Sequence, residues 1–190
     1  MLHALNDLAT RVAHGTQEIF VALQHFLNYC ATLPETKIIY RASDMILHNH
    51  SDAAYLVATE ARSRAGGYTY CGNKTSKTQI INGPISVIAK IIKHVMSSAA
   101  EAEVAALFIN ARAILPLRVT CEELGHPQPA TPLRTDNSTV SGIINGTFAK
   151  DRSKAMDMRF YWIVDRVKQG QFMVYWEYKF SRLLHQKSSS

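Results

Sequence analysis

Three acidic side chains occupy positions where strands and helices of a mixed domain are predicted to begin or end. Asp52 lies in an alternating, strand-like run, Glu103 lies in the first turns of a helical segment, and Asp136 closes a short apolar run. Hydrolysis of a phosphodiester by two metal ions about 4 Å apart requires such carboxylates, because Mg²⁺ prefers oxygen ligands. In that chemistry one ion activates water and the other stabilises the leaving oxygen. Carboxylates at element ends also act as helix caps or solvated groups, so the residue types alone leave that alternative open.

The segment that carries Asp52 belongs to a predicted group of three strands. Residues 45–55 alternate in polarity, 68–71 form a second short strand, and 80–95 are rich in β-branched side chains. A shorter run at 38–40 also has strand character, and the Arg-Ala-Gly-Gly stretch at 64–67 predicts a turn. Strands that follow one another through tight turns predict an antiparallel meander.

A helix with an explicit start signal is predicted to carry Glu103. Ser98, with Glu101 three residues later, fits a capping box, and apolar residues recur at helical spacing to about residue 124. Pro116 is expected to kink or restart this helix. Glu101 and Glu103 lie about 200° apart around the helix axis. Both flank the apolar stripe, so the periodicity does not decide which of them is the site residue.

The remaining elements complete an α/β layout. Apolar patterning predicts a strand near 133–136, helices near 138–145 and 156–169, and a last strand near 171–176. The order βββ-α-β-α-α-β predicts a mixed sheet with flanking helices. Ahead of these elements, residues 2–31 are predicted to form two short helices. Their apolar stripe suits packing on the domain, and it would also suit binding to a partner.

Three stretches of sequence, taken together, are similar to one known family. They read His-Ser-Asp-Ala-Ala-Tyr at 50–55, Ser-Ser-Ala-Ala-Glu-Ala-Glu-Val-Ala-Ala-Leu at 97–107 and Arg-Thr-Asp-Asn-Ser-Thr at 134–139. In this order they resemble the ribonuclease H-like domain in the reverse transcriptase of copia-type long-terminal-repeat retrotransposons, a part of the Pol polyprotein. The resemblance implies an α/β ribonuclease H-like fold with a mixed five-stranded sheet over residues 37–177. It implies a helical connecting segment at 1–36, after the polymerase.

The resemblance also implies a function and a set of site residues. Asp52, Glu103 and Asp136 would be catalytic and would hold Mg²⁺ or Mn²⁺. Glu103 is favoured over Glu101 because the family's ligand precedes an apolar-x-Ala pattern, which matches Glu103-Val104-Ala105-Ala106. The reaction would be endonucleolytic hydrolysis of the RNA strand of an RNA–DNA hybrid during reverse transcription. The residues expected to contact the nucleic acid are Arg152, Lys154, Arg159, Asn137 and Ser138.

The resemblance leaves one feature unmatched and two alternatives open. It implies a fourth carboxylate in a final helix, but residues 178–190 contain no Asp or Glu and form a divergent basic, serine-rich tail. We therefore expect the final helix to be altered or missing, one metal ion to bind more weakly, and activity to be impaired. The alternative function is a catalytically inactive ribonuclease H-like module that binds nucleic acid or a protein partner. A further alternative is an unrelated basic α/β domain in which the three carboxylates lie far apart.

Two histidines offer a different metal site. His48 and His50 are expected on the same strand face as Asp52, so the three side chains could bind zinc. Since no further His or Cys falls nearby in the sequence, two partly exposed strand histidines are the favoured interpretation.

Composition and missing motifs narrow the class of protein. The 190 residues are 47% hydrophobic and 19% charged, which excludes a disordered chain, and the net charge of +6 fits a polyanionic partner. The three cysteines form no Cys-x-x-Cys pair and no secretion signal is visible, so an intracellular protein, cytoplasmic or nuclear and without a membrane segment, is expected. A Tyr-x-Asp-Asp polymerase motif is missing, so the polymerase part of a reverse transcriptase is an expected partner.

Overall fold

The chain forms two units, which divide between Tyr40 and Arg41. The computed structural model describes residues 2–74, 81–146 and 157–177. The first unit contains helix α1 (Leu2–Arg11) and helix α2 (Gln17–Ala31), so the two short helices expected in this segment are confirmed. The side chain of Thr16 caps α2, and no residue of α2 is buried.

The second unit is built around one five-stranded sheet. Its strands are β1 (Ile46–Ala58), β2 (Arg62–Gly72), β3 (Pro84–Ile91), β4 (Thr131–Thr135) and β5 (Phe172–Trp176). The spatial order is β3-β2-β1-β4-β5. The first three strands are antiparallel, whereas β4 is parallel to β1 and β5 is parallel to β4. The predicted meander and mixed sheet are therefore confirmed.

Three helices accompany the sheet. They are α3 (Ala99–Glu123), α4 (Ser138–Ile144) and α5 (Asp157–Lys168). Helix α3 packs on β1 and β2 and contacts α5. The largest fully buried side chains of the apolar core come from both helices and strands, namely Leu47, Leu107, Ile114, Leu133, Ile163 and Phe172. The predicted α/β fold class is confirmed, and residues 178–190, where we expect the final helix to be altered or missing, lie outside the described residues.

The turn predicted at 64–67 is wrong. These residues run through the middle of β2, and the chain reverses earlier, at the 3₁₀ turn Thr59–Ala61. The reason is a close approach of helix α3: a Cβ on Gly67 would lie 1.8 Å from Oδ1 of Asn110. Glycine is needed in this strand because it has no Cβ, and the reversal is made by non-glycine residues such as Glu60 in the left-handed region.

Two smaller expectations also differ from the structure. The strand-like run at 38–40 belongs to no strand of the described residues, and its three apolar side chains are exposed. Pro116 does not restart α3, which continues to its end as one helix. A proline removes a single backbone donor, and Ile114 and Arg118 on either side of it are buried.

Helix α3 is long and apolar enough to cross a membrane by length and composition, with a mean hydropathy of 1.5 over its most apolar window. Half of that window is buried inside the protein, and the helix packs on the sheet. Its apolar character is that of a central core helix, as the close contact between Asn110 and Gly67 also shows.

Candidate metal centre

Asp52, Glu103 and Asp136 meet beside the central strand β1, just after the end of the neighbouring strand β4. One carboxylate oxygen from each lies within 4.8 Å of the other two. The strand pairing explains the meeting: β1 and β4 run parallel with His50 beside Arg134, so Asp52 and Asp136 each follow two residues later on neighbouring segments. Helix α3 lies across β1 and brings Glu103 to the same place. The structure thus brings together the three carboxylates that the sequence singles out.

Glu103 is the most enclosed of the three, with only 5% of the residue exposed. Its Oε1 accepts a hydrogen bond from the backbone N–H of Ala53 at 3.0 Å, and its Oε2 accepts one from the hydroxyl of Thr135 at 3.3 Å. Burial raises the pKa of Glu103 to about 8, helped by the negative charge of Asp136 and, less strongly, of Asp52, while the Ala53 N–H acts in the opposite direction. The carboxylates therefore repel one another in the absence of a cation.

This donor set fits a hard divalent cation. All the converging groups are carboxylates, the ligands that Mg²⁺ and Mn²⁺ favour, and Asp52 is exposed, so the cluster is open to solvent on that side. Burial is the main cause of the raised pKa of Glu103, and the part that comes from the negative charges of Asp136 and Asp52 is what a bound cation would offset. Asp52, Glu103 and Asp136 are therefore the residues that could hold the metal.

The structure shows which of Glu101 and Glu103 belongs to the acidic cluster, whereas helical periodicity does not. The carboxylate of Glu101 accepts from the backbone N–H of Ser97 at 2.7 Å, and the hydroxyl of Ser98 accepts from the N–H of Glu101 at 3.2 Å. The Ser98 half of a capping box is thus formed, and Glu101 holds the residue before the N-cap, so Glu101 stabilises the start of α3. Glu103 lies in the acidic cluster.

The residues expected to touch nucleic acid fall in three places. Asn137 and Ser138 directly follow Asp136, and Asn137 caps α4 by accepting from the N–H of Val140 at 3.1 Å. Arg159 lies in the first turn of α5 and is half-buried. Arg152 and Lys154 lie outside the described residues. The described members of this group therefore lie on two elements, at the start of α4 and in α5.

The two histidines considered for zinc belong to an aromatic cluster. The ring of His48 stacks on Tyr70 with centroids 5.4 Å apart, and His50 meets the same ring edge-on at 5.5 Å. His48 is buried rather than partly exposed, and burial lowers its pKa, partly offset by the carbonyl of Asn73. Among the described residues, neither histidine is part of a group with metal-binding geometry, and that alternative is not supported.

Sequence reasoning missed three features around the site. Thr135 holds Glu103, although a threonine at the end of a strand gives no local signal. Asn110 is fully buried and donates to the backbone carbonyl of Gly66 at 2.9 Å, and a polar residue inside the apolar stripe of α3 was its available signal. Arg134 forms an ion pair with the carboxylate of Glu177 at 2.9 Å. Glu177 directly follows β5, and the cationic side chain that pairs with its carboxylate is that of Arg134 on β4.

Comparison with known proteins supports a ribonuclease H-like domain. No family model matches the chain. The chain is 24% identical over 172 residues to the retrovirus-related Pol polyprotein from transposon TNT 1-94 of Nicotiana tabacum, which covers 90% of this chain. The chain spans only 12% of the length of that relative.

A solved structure shows the same fold. LC11-RNase H1, isolated from compost by a metagenomic approach, matches with a TM-score of 0.51 and 12% identity, covering 75% of this chain and 91% of the other. The structure of LC11-RNase H1 in complex with an RNA/DNA hybrid gives a TM-score of 0.49 and 13% identity, covering 71% of this chain and 87% of the other. The chain therefore contains a ribonuclease H-like domain, and it is similar in sequence to a retrotransposon Pol polyprotein.

Proposed function

We propose that this chain is a divalent-metal-dependent endonuclease that hydrolyses the RNA strand of RNA–DNA hybrids during reverse transcription of a copia-type retrotransposon. The observation that carries the proposal is the convergence of Asp52, Glu103 and Asp136 within 4.8 Å on a ribonuclease H-like fold. The similarity to a transposon Pol polyprotein supplies the biological setting.

Glu103 and Asp52 have different tasks in this proposal. When bound, Mg²⁺ or Mn²⁺ ions supply an activated water and charge neutralisation at the leaving oxygen. Glu103 must lose its proton to bind a cation, and the donors Ala53 and Thr135 hold its two oxygens in one orientation. Asp52 is exposed and presents its oxygens where a phosphodiester can approach. Attack of water on phosphorus breaks the bond to the 3′-oxygen, which leaves a 5′-phosphate and a 3′-hydroxyl.

Substrate recognition is proposed to depend on shape rather than on base sequence. Double-stranded RNA-containing helices are recognised through the wide minor groove, the 2′-hydroxyls and the phosphates. Asn137 and Ser138, which directly follow Asp136, would contact the strand being cut, and Arg152, Lys154 and Arg159 would contact phosphates. Contacts to phosphates make the affinity for the nucleic acid fall as the salt concentration rises.

The proposal is tested by cleavage of a labelled RNA–DNA hybrid in Mg²⁺ or Mn²⁺. We expect cleavage by the wild type and none by Asp52→Asn. Asp165→Asn is a matched control, because Asp165 is exposed on α5, outside the acidic cluster, and bonds only within its own helix region through Gln169. Cleavage by Asp52→Asn at the wild-type rate would contradict the proposal.

A second candidate is a catalytically inactive module that binds the hybrid or a polymerase partner. Two observations favour it, because both bear on the fourth carboxylate that the family resemblance implies. Residues 178–190 contain no acidic residue, and the carboxylate of Glu177, just before them, is paired with Arg134. In that case a folded wild type would bind the hybrid equally well with and without Mg²⁺ and would cut nothing. Metal-dependent cleavage would exclude this candidate.

The setting of the protein follows from the same proposal. Reverse transcription implies the polymerase part of a reverse transcriptase as a partner, and it implies a location inside the cell, in the cytoplasm or the nucleus. The three cysteines are free thiols, which agrees with a reducing compartment. Residues 1–36 are proposed to connect the polymerase to a domain spanning 37–177, with 178–190 as its tail.

A further inference from the structure

Thr135 is the last residue of β4, and it is fully buried. Its hydroxyl donates to Oε2 of Glu103 at 3.3 Å and accepts from the backbone N–H of Asn137 at 3.2 Å. A hydroxyl group carries one proton. Because the Asn137 N–H occupies a lone pair of the oxygen, it helps to direct that proton towards Glu103.

The other oxygen of Glu103 is held in the same way from the other side. The backbone N–H of Ala53 donates to Oε1 at 3.0 Å. Ala53 is adjacent in sequence to Asp52, and Thr135 is adjacent to Asp136. The two chain segments that carry the outer carboxylates therefore also fix the orientation of the central one.

We propose that Thr135 is a positioning residue of the metal centre, whose hydroxyl orients the Glu103 carboxylate so that the three acids bind divalent cations together. The inference rests on the proposed function in its choice of metal ligands. Hydrogen bonds to a ligating carboxylate set its direction, and loss of such an outer partner commonly lowers metal affinity by about 10- to 100-fold.

The chain offers a matched control on the same strand. Thr131 is also in β4 and fully buried, but its hydroxyl accepts from the guanidinium of Arg118 at 2.6 Å. Thr131→Val therefore removes the same group from the same strand, four residues away, without touching Glu103. Thr135→Ser keeps the hydroxyl at the site, whereas Thr135→Val and Thr135→Ala remove it.

The experiment is calorimetric titration of the full chain with Mn²⁺, together with thermal melting of each metal-free variant. We expect Thr135→Val to bind Mn²⁺ at least about 10-fold more weakly than the wild type. Thr135→Ser should restore the affinity to near the wild-type value. Thr131→Val should melt at a lower temperature but bind Mn²⁺ as the wild type does. If Thr135→Val does not fold, the comparison between Thr135→Ala and Thr135→Ser gives the same test.

Several results would overturn the inference. They are wild-type Mn²⁺ affinity in the hydroxyl-free variants, equal losses of affinity in Thr131→Val and Thr135→Val, or failure of Thr135→Ser to restore binding. A wild type that binds no Mn²⁺ would overturn it together with the proposed function. If the wild type binds Mn²⁺ and the Thr135 series behaves as expected, but the wild type does not cut the hybrid, the inference stands and the nuclease proposal fails.

Discussion

Helix α3 buries apolar side chains along its whole length, but its first half also buries three polar ones, Glu101, Glu103 and Asn110, whereas its second half buries one, Arg118. In the first half, Glu103 is enclosed beside two other carboxylates, and Asn110 is fully buried. In the second half, Ile114 is fully buried in the main apolar core, and the one buried cation, Arg118, is satisfied by three acceptors. Burying a carboxylate near two others opposes folding, so the burial of Glu103 in the first half is explained by function. The burial of Ile114 in the second half is explained by stability.

The sharpest way to separate the two halves is Glu103→Gln. This change removes a metal ligand, so we expect the affinity for Mn²⁺ to fall by more than about 100-fold, beyond the usual effect of an outer partner. It also removes a buried acid that the folded state holds protonated up to about pH 8, whereas the unfolded chain releases that proton near pH 4.5, so the metal-free variant should melt at a higher temperature than the wild type at pH 8. Calorimetry and thermal melting on the same samples measure both. A variant that loses stability as well as metal binding would break the comparison.

In the second half, Ile114→Ala should have the opposite profile. The side chain is fully buried in the apolar core, and truncation of such a residue costs about 2–5 kcal/mol of the free energy of unfolding. The folded fraction should bind Mn²⁺ with the wild-type affinity. Denaturant unfolding gives the first quantity and metal titration below the unfolding transition gives the second. Weaker metal binding by the folded variant would show that the two halves are coupled.

Gly67→Ala tests the close contact between helix and strand in the first half. The added Cβ would lie 1.8 Å from Oδ1 of Asn110, so we expect a loss of about 1–3 kcal/mol in the free energy of unfolding. In an Asn110→Ala background the same change should cost clearly less, since the clashing atom is gone. The comparison of the four proteins by denaturant unfolding gives the coupling between the two positions. Additive effects would mean that Asn110 is not what requires glycine at this position.

The last prediction is a pH dependence that comes from Glu103 in the first half. The pKa of Glu103 in the folded state, about 8, lies above its ordinary value of 4.5, so the folded state holds this proton more tightly than the unfolded chain. Its contribution to stability is complete below about pH 4.5 and is lost as the pH rises through about 8. Metal-free wild type should therefore lose stability across this window, and Glu103→Gln should lose less. Equal slopes for the two proteins in thermal melts would contradict the assignment.

Much of the fold could be predicted because the local signals agree with the tertiary structure. The capping box at Ser98 and the polar alternation around Asp52 mark real elements, and short connections between strands made the meander the simplest topology. The error at 64–67 came from a property of glycine that local reasoning cannot resolve. Glycine permits a turn, and it also permits another backbone or side chain to approach closely. Only the position of Asn110 on α3 shows which of the two applies.

The acidic residues of the site could be predicted from the sequence, but the residue that holds one of them in place could not. The order and wording of the motifs singled out Asp52, Glu103 and Asp136, and the structure brings them together. The choice between Glu101 and Glu103 depends on which way α3 faces the sheet, a tertiary property. Thr135 could not be found from sequence, because its role depends on a hydrogen bond between residues 32 positions apart.

The most direct test of the central claim is cleavage of a labelled RNA–DNA hybrid in Mn²⁺ by the wild type and by Glu103→Gln, with the folding of both checked by melting. The account predicts products with 5′-phosphate and 3′-hydroxyl ends from the wild type and no cleavage by the variant, although the variant is at least as stable at pH 8. A folded wild type that cuts nothing, or a variant that cuts at the wild-type rate, would contradict it.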